Sequence, residues 1–340
     1  MRKPLTVAVI GSADRAKPLA QAFEELPQAD LRWIWDQQSL LCRRSVEERV
    51  VRTASWVELL EDEQLDAIAF AGADAVSPER VRGALGAGKH VYVEPLLTES
   101  AAEARELFRM AERNDRRLWA LSPALFGAGA HRLRALLRNG TLGEIFYLHG
   151  RRFVATSMDQ RELLWSVGSE TVAVALDLLR DEPIEMSARA TSYLEQGTVD
   201  LLFAELRFAT GIVVHMHLSR LDGEESESLS VVGSEFTAVL EGASRLRLQA
   251  SGAAGRRNDE LVEPGSTVHL RLPPAEVTRE ACADFLMSIR SPERGHRERL
   301  ASTVIEVVEE LARAARGEDE GAVLEDTVQD EGKVLRLHRA

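Results

Sequence analysis

The chain of 340 residues is poor in cysteine, in basic charge and, most unusually, in lysine. Its two cysteines, Cys42 and Cys282, are too few for a disulfide framework or, alone, a thiolate metal site. They read as buried apolar residues or bystanders, and no metal is expected. The lysines are Lys3, Lys17, Lys89 and Lys333, so the long stretch from His90 to Gly332 has no primary amine. Arginine carries nearly all the positive charge there, and a permanently charged guanidinium cannot donate and retrieve a proton near neutral pH. Lys plus Arg total 42 against 55 for Asp plus Glu, a net charge of −13. That balance argues against a dedicated nucleic-acid binder, which needs a basic surface to neutralise phosphates. Apolar runs stay well short of the roughly 18–20 residues of a membrane helix, so no membrane partner is expected. The opening Met1-Arg2-Lys3-Pro4 and the short strand-like run after it do not resemble a signal peptide. A cytoplasmic location is the expectation.

Hydrophobic residues make up 45% and charged residues 29%, the balance of a globular protein with enough chain for two cores. The first third alternates short apolar runs with helical spacing. Leu5–Ile10, Leu31–Trp35, Leu65–Phe70, His90–Val93 and Arg117–Leu121 read as strands, and Ser100 caps a helix reaching Asn114. Strands alternating with helices predict a doubly wound parallel sheet. After a helix at Ala130–Asn139 the pattern changes. A helix at Glu170–Arg180 is set among extended segments at Glu144–Arg152, Ile184–Leu194, Val199–Phe208, Gly211–Arg220 and Ser228–Val232, with a hairpin turn at Thr210-Gly211. Two helices, Glu276–Ser288 and Arg297–Arg316, follow. The fold expected is an α/β Rossmann-like domain over residues 1–122, then an α+β domain with a large, mainly antiparallel sheet over 123–340, the two facing across a cleft.

Several blocks then carry a resemblance. LDAIAFAG, ALGAGKHVYVEP, AEARELFRMAERN and RLRALLRNGTLGEI follow one another between Leu65 and Ile145, and ALDLLRDEP and VVGSEFTAVLEG come later. In order and spacing they resemble the Gfo/Idh/MocA oxidoreductases, NAD(P)-dependent dehydrogenases acting mainly on sugars, polyols and related compounds. The resemblance implies a dinucleotide site at the loop Gly11-Ser12-Ala13-Asp14-Arg15-Ala16, where a phosphate would meet a helix N-terminus. Gly11 fits that pattern, and Arg15 offers a positive charge. Ala13 puts a methyl group where the family has glycine, and Asp14 adds a like charge. Asp36, at the end of the second strand, occupies the place of a ribose-binding acid. Gly72, Asp74 and Glu94 complete the implied cofactor set, with NAD and NADP equally admissible.

The residues that should perform the chemistry are missing. The family's Glu-Lys-Pro segment is matched by Glu94-Pro95-Leu96, so Pro95 stands at the catalytic lysine, and proline has no titratable group. Lys89 belongs to the preceding turn and is expected to point to solvent. Val174 stands at the family's histidine, three residues before a retained Asp177, with Glu170 one turn earlier. Glu170, Val174 and Asp177 are expected on one helix face, leaving Glu94, Glu170 and Asp177 as candidate acid/base groups. Gly72, Ala73, Asp74 and Ser77 replace the family's Thr-Pro-Asn and histidine, and Pro123 and Leu125 replace polar positions at the junction, where Phe126 is kept. A substrate set of Trp165, Glu170 and Asp177 follows, Trp165 being placed to stack on a ligand ring; the other tryptophans read as core.

His215 and His217 fall on one face of a strand. They read as an exposed or interface pair in the absence of a third ligand, with His149 and Tyr147 on a strand of unknown register. Three functions are therefore open. The first is a ligand- or partner-binding sensor, regulatory or auxiliary protein without the family's lysine and histidine. The second is an active NAD(P)-dependent oxidoreductase with a carboxylate acid/base set; the third is a non-redox enzyme on the same scaffold. The exposed face of the second sheet predicts a homodimer or homotetramer.

Overall fold

The computed structural model describes residues 3–35, 56–72, 75–95, 97–155, 163–194, 199–242, 244–251, 255–257, 260–262, 265–273, 276–291 and 296–317. The first sheet holds β1 (Leu5–Gly11), β2 (Ala29–Trp35), β3 (Ala67–Ala71), β4 (His90–Val93) and β5 (Leu118–Trp119). Their order is β2-β1-β3-β4-β5 and every pairing is parallel. Parallel sheets are covered on both faces, which is why β1 is buried from Thr6 to Gly11 and β3 along its whole length. The covering helices include α1 (Ala13–Glu24), α2 (Trp56–Glu61), α3 (Pro78–Gly86) and α4 (Ala101–Arg113). Ser100 caps α4 by accepting from the Glu103 amide, and Ala101, Ala104, Leu107 and Ala111 form its buried stripe.

Chain connectivity reverses between β1 and β3, so the switch point opens at the carboxyl ends of these two strands. Gly11 ends β1 there and pairs with Ala71 of β3. A Cβ on Gly11 would lie 2.6 Å from the Ala71 carbonyl oxygen and 2.9 Å from its Cβ, so close strand packing alone explains this glycine.

After a 3₁₀ turn at Pro123–Phe126 and α5 (Ala128–Arg138), the chain enters the second sheet. Its strands are β6 (Ile145–Phe153), β7 (Pro183–Thr191), β8 (Leu201–Phe208), β9 (Val213–Ser219), β10 (Ser226–Gly233), β11 (Phe236–Glu241) and β12 (Arg245–Ala250). A small hairpin of β13 (Gly255–Arg257) and β14 (Glu260–Val262) precedes β15 (Thr267–Arg271). Among the described residues the large sheet has eight strands in the order β15-β12-β11-β10-β6-β9-β8-β7, antiparallel except for the β6–β9 pair. Gly211, at φ +85°, turns the expected hairpin between β8 and β9. Helix α6 (Ser169–Leu179), entered through a π-helical turn at Leu163–Gly168, packs close to β6: a Cβ on Gly150 would meet Thr171 Cγ2 at 2.4 Å.

The structure departs from expectation in three places. The large sheet continues beyond Val232 into β11, β12 and β15. Helix α7 (Val277–Arg290), expected with the second domain, lies against the first: Phe285 packs edge-on against Tyr92 and Phe23, and Trp119 Nε1 donates to Asp284 at 3.0 Å. Helix α8 (His296–Ala315) follows it. Finally, Lys89 does not face solvent. It is 5% exposed and its ammonium donates 2.6 Å to the Asp62 carbonyl, because the turn into β4 folds its aliphatic stem under the end of α2. Among the described residues no helix is long and apolar enough to cross a membrane.

Candidate active-site cleft

The cleft is assembled at the switch point from the β1–α1 loop, the ends of β3 and β4, and α6 from the second domain. Ser12 precedes α1 in extended conformation and makes no side-chain cap; its carbonyl accepts from the Arg15 and Ala16 amides at 3.0 and 2.8 Å, so only the amides ahead of Arg15 are left to meet an anion. Gly72 follows β3 at φ +83°, and its backbone amide donates to the Glu94 carboxylate. Glu94 leaves β4 with its own amide bonded to the Phe70 carbonyl at 3.2 Å. The structure thus brings Gly11, Ser12, Arg15, Gly72 and Glu94 together. Asp36, Asp74 and Leu96 lie outside the described residues, as does the side chain of Ala13. Ser77, at the end of the same loop region, caps α3 by accepting from the Arg80 amide.

Glu94 of the first domain lies within electrostatic reach of Glu170 of the second. Burial raises the pKa of Glu94; the Arg15 charge and the Gly72 amide oppose this, and the charge of Glu170 adds to it. Burial likewise raises Glu170, against the pull of Arg152 and with a further push from Glu227. Arg152 on β6 donates to Glu170 Oε2 at 2.7 Å and also binds Glu227 of β10.

The sign of the pH effect follows. A carboxyl raised by folding is favourable below its unfolded value near 4.5, and that contribution is lost as pH rises through the folded value. Glu94→Gln is therefore expected to raise the melting temperature at pH 7 and to leave it unchanged below pH 4.5. A lower melting temperature at pH 7 would show that ionised Glu94 is stabilised by its surroundings.

The other candidates sit differently. Asp177 does not share a ligand-facing pair with Glu170: its carboxylate is held by Arg134 of α5, whose guanidinium also reaches the Leu125 carbonyl. Asp177 thereby ties α6 to α5 and the junction turn. Trp165, on the π-helical turn, is 8% exposed. With Pro95, Leu97, Ala173, Val304 and Ile305 it lines a cavity of only about 20 Å³, so its ring is taken up by protein. Val174 is buried on α6. Pro95 and Val174, the residues expected at the lysine and histidine positions, are half-buried and buried, respectively.

Two arginines escaped sequence reasoning. Arg134 and Arg152 are charged partners from other elements, 43 and 18 residues from the acids they bind. Cys282 is buried on α7, where burial and the Glu94 charge push its thiol upward. On the outer face of the large sheet, register pairs His149 with His215, and His217 lies between Phe153 and Phe203 with ring centroids at 5.0 and 4.4 Å. Burial lowers the pKa of His149 and His217. No group of three or more His, Cys, Asp or Glu among the described residues could hold a metal.

The profile described as "Oxidoreductase family, NAD-binding Rossmann fold" matches residues 5–122. The "GFO/IDH/MocA C-terminal domain" matches residues 130–239. An uncharacterized oxidoreductase of Schizosaccharomyces pombe is 34% identical over 98 residues, 28% of this chain; the match spans only 27% of that relative's length.

Solved structures share the fold over nearly the whole chain. An NAD binding oxidoreductase from Klebsiella pneumoniae superposes with a TM-score of 0.78 at 18% identity, covering 93% of this chain and 98% of that one. A 3-ketoreductase from Actinomadura kijaniata, in complex with TDP-benzene and NADP, gives 0.77 at 18%, covering 92% and 98%. The UDP-N-acetylglucosamine 3-dehydrogenase of Acidithiobacillus ferrooxidans gives 0.76 at 18%, covering 93% and 99%. Both domain profiles in chain order, over the two sheets described above, make this chain a member of the Gfo/Idh/MocA oxidoreductase family, whose first domain is an NAD-binding Rossmann fold.

Proposed function

We propose that the protein binds a nicotinamide dinucleotide in this cleft and serves as a ligand- or partner-binding sensor, regulatory or auxiliary protein. The start of α1 ahead of the Arg15 amide, the Arg15 charge and Gly72 beside Glu94 fit the phosphate end of such a cofactor. Ser12, Arg15, Gly72 and Glu94 would hold it. A bound NAD or NADP would supply a hydride donor or acceptor. What the chain lacks is a proton carrier in the places where the family has one. The observation that carries the reading is the setting of Pro95, which has no titratable group and stands in an apolar lining with Leu97, Trp165 and Ala173. A positioned acid or base contributes about 10²–10⁴ in rate, so losing two leaves turnover far below ordinary enzymes. The test is a screen of sugars and polyols with NAD(P) by nicotinamide absorbance. Turnover at about 1 s⁻¹ or faster would overturn the reading.

One observation favours a second reading, an active oxidoreductase with a carboxylate acid/base set. Glu94 and Glu170 face the cleft from different domains, and both are raised by burial, as a general acid working near neutrality requires. On that reading Glu94→Gln or Glu170→Gln lowers kcat about 10²-fold or more; no effect from either sinks it.

Self-association belongs to the same proposal. Tyr147 and Phe203 are 41% and 49% exposed on the outer face of the large sheet, and a face of that kind is ordinarily covered by a second copy.

A further inference from the structure

We propose that the groove between α4 and α8, at the edge strand β5 of the first sheet, is a binding site for a small phosphate monoester carrying an apolar or aromatic body. It is a cavity of about 290 Å³, at the lower end of the range for small-ligand pockets. None of its lining residues belongs to the cleft described above.

The lining is strongly basic in a chain of net charge −13. Arg105, Arg109, Arg116, Arg117 and Arg299 face Glu112 and Glu298, with Glu306 reaching Arg105 from outside the lining, leaving a formal charge of +2. Three of the arginines are engaged. Arg117 is 5% exposed and its guanidinium is spent on the Ser288 and Ser291 carbonyls and on Glu298, at 2.9, 2.5 and 3.5 Å. Arg105 lies 3.9 Å from Glu306, and Arg116 donates to the Gly88 and Asp115 carbonyls. Arg109 and Arg299 differ: neither has a hydrogen-bond or ion-pair partner among the described residues. They come from opposite walls of the groove, one on α4 and the other on α8.

Two free guanidinium forks on opposite walls suit an anion that can accept from both. The net charge favours a phosphate monoester, which carries about −1.5 to −2 at neutral pH, over a single carboxylate. Between the arginines the lining is apolar, with half-buried Phe108 beside Ala111 and Leu118. That surface gives a flat organic body somewhere to lie.

The experiment is calorimetric titration of the full chain with phenyl phosphate, inorganic phosphate and benzoate. Phenyl phosphate is expected to bind most tightly of the three. Arg109→Ala with Arg299→Ala should weaken it about tenfold or more, since each removes charged hydrogen bonds. Phe108→Ala should erase the preference over inorganic phosphate, and Arg15→Ala, in the cleft, should leave binding intact. If the alanine pair lowers the melting temperature, the glutamine pair at the same positions is expected to show the same weakening. No binding to the wild type, equal affinity in the double variants, tighter benzoate binding, or loss in Arg15→Ala each overturns the proposal.

Discussion

Gly11→Ala is expected to destabilise the protein by about 1–3 kcal/mol, the cost of forcing a methyl group into a packed interior, and to weaken dinucleotide binding with it. The new Cβ has no free direction. It meets the carbonyl oxygen of Ala71 at 2.6 Å and the Ala71 Cβ at 2.9 Å, both fixed by the β1–β3 pairing. Relief requires the two central strands to part at their carboxyl ends. That is where β3 passes into Gly72, and where the Glu94 amide is bonded to the Phe70 carbonyl. A chain of this size should lose several degrees in melting temperature. Gly223→Ala is the matching control, because a Cβ there meets nothing within 4 Å, and it should melt with the wild type. Equal melting of Gly11→Ala and wild type would mean that the strand ends yield freely.

Arg152→Ala should cost about 1–3 kcal/mol, below the roughly 3–5 kcal/mol of a fully buried ion pair because Glu170 and Glu227 are 30% and 47% exposed. Arg152 is the shared counter-charge of Glu170 on α6 and Glu227 on β10. Without it two carboxylates face each other, and the half-buried Glu170 loses the partner that draws its pKa down against burial. Its proton affinity in the folded state rises further, so the deficit should be greatest near pH 7 and shrink as the pH falls and the carboxyls take up protons. Adding Glu170→Gln should recover part of the loss at pH 7, a coupling that a double-mutant cycle of thermal melts measures. A pH-independent deficit would assign the role of Arg152 to packing of its stem.

The parts of the fold visible in the sequence are those fixed by short-range rules. The buried runs of β1, β3 and β4, the Ser100 cap and the Gly211 hairpin each depend on a few neighbouring residues. β12 carries such a signal as well, alternating exposed Arg245 and Gln249 with buried Leu246, Leu248 and Ala250, whereas its place between β11 and β15 is a matter of long-range pairing. The placement of α7 on the first sheet depends on Trp119 meeting Asp284 across 165 residues, which no local pattern encodes. The candidate site divides in the same way. Backbone positions such as Gly11 and Glu94 could be placed by their loops. The partners that set each carboxylate's behaviour, Arg152 for Glu170 and Arg134 for Asp177, come from distant strands and helices. Burial of Lys89 and Trp165 is likewise a property of assembled elements.

The most direct test of the account is a calorimetric titration of the protein, freed of any carried-over nucleotide, with NAD(H) and NADP(H). Micromolar binding of at least one of them is expected, weakened in Arg15→Ala, which would place the dinucleotide at the β1–α1 loop although Ala13 stands where the family has glycine. Absence of binding by all four would contradict it.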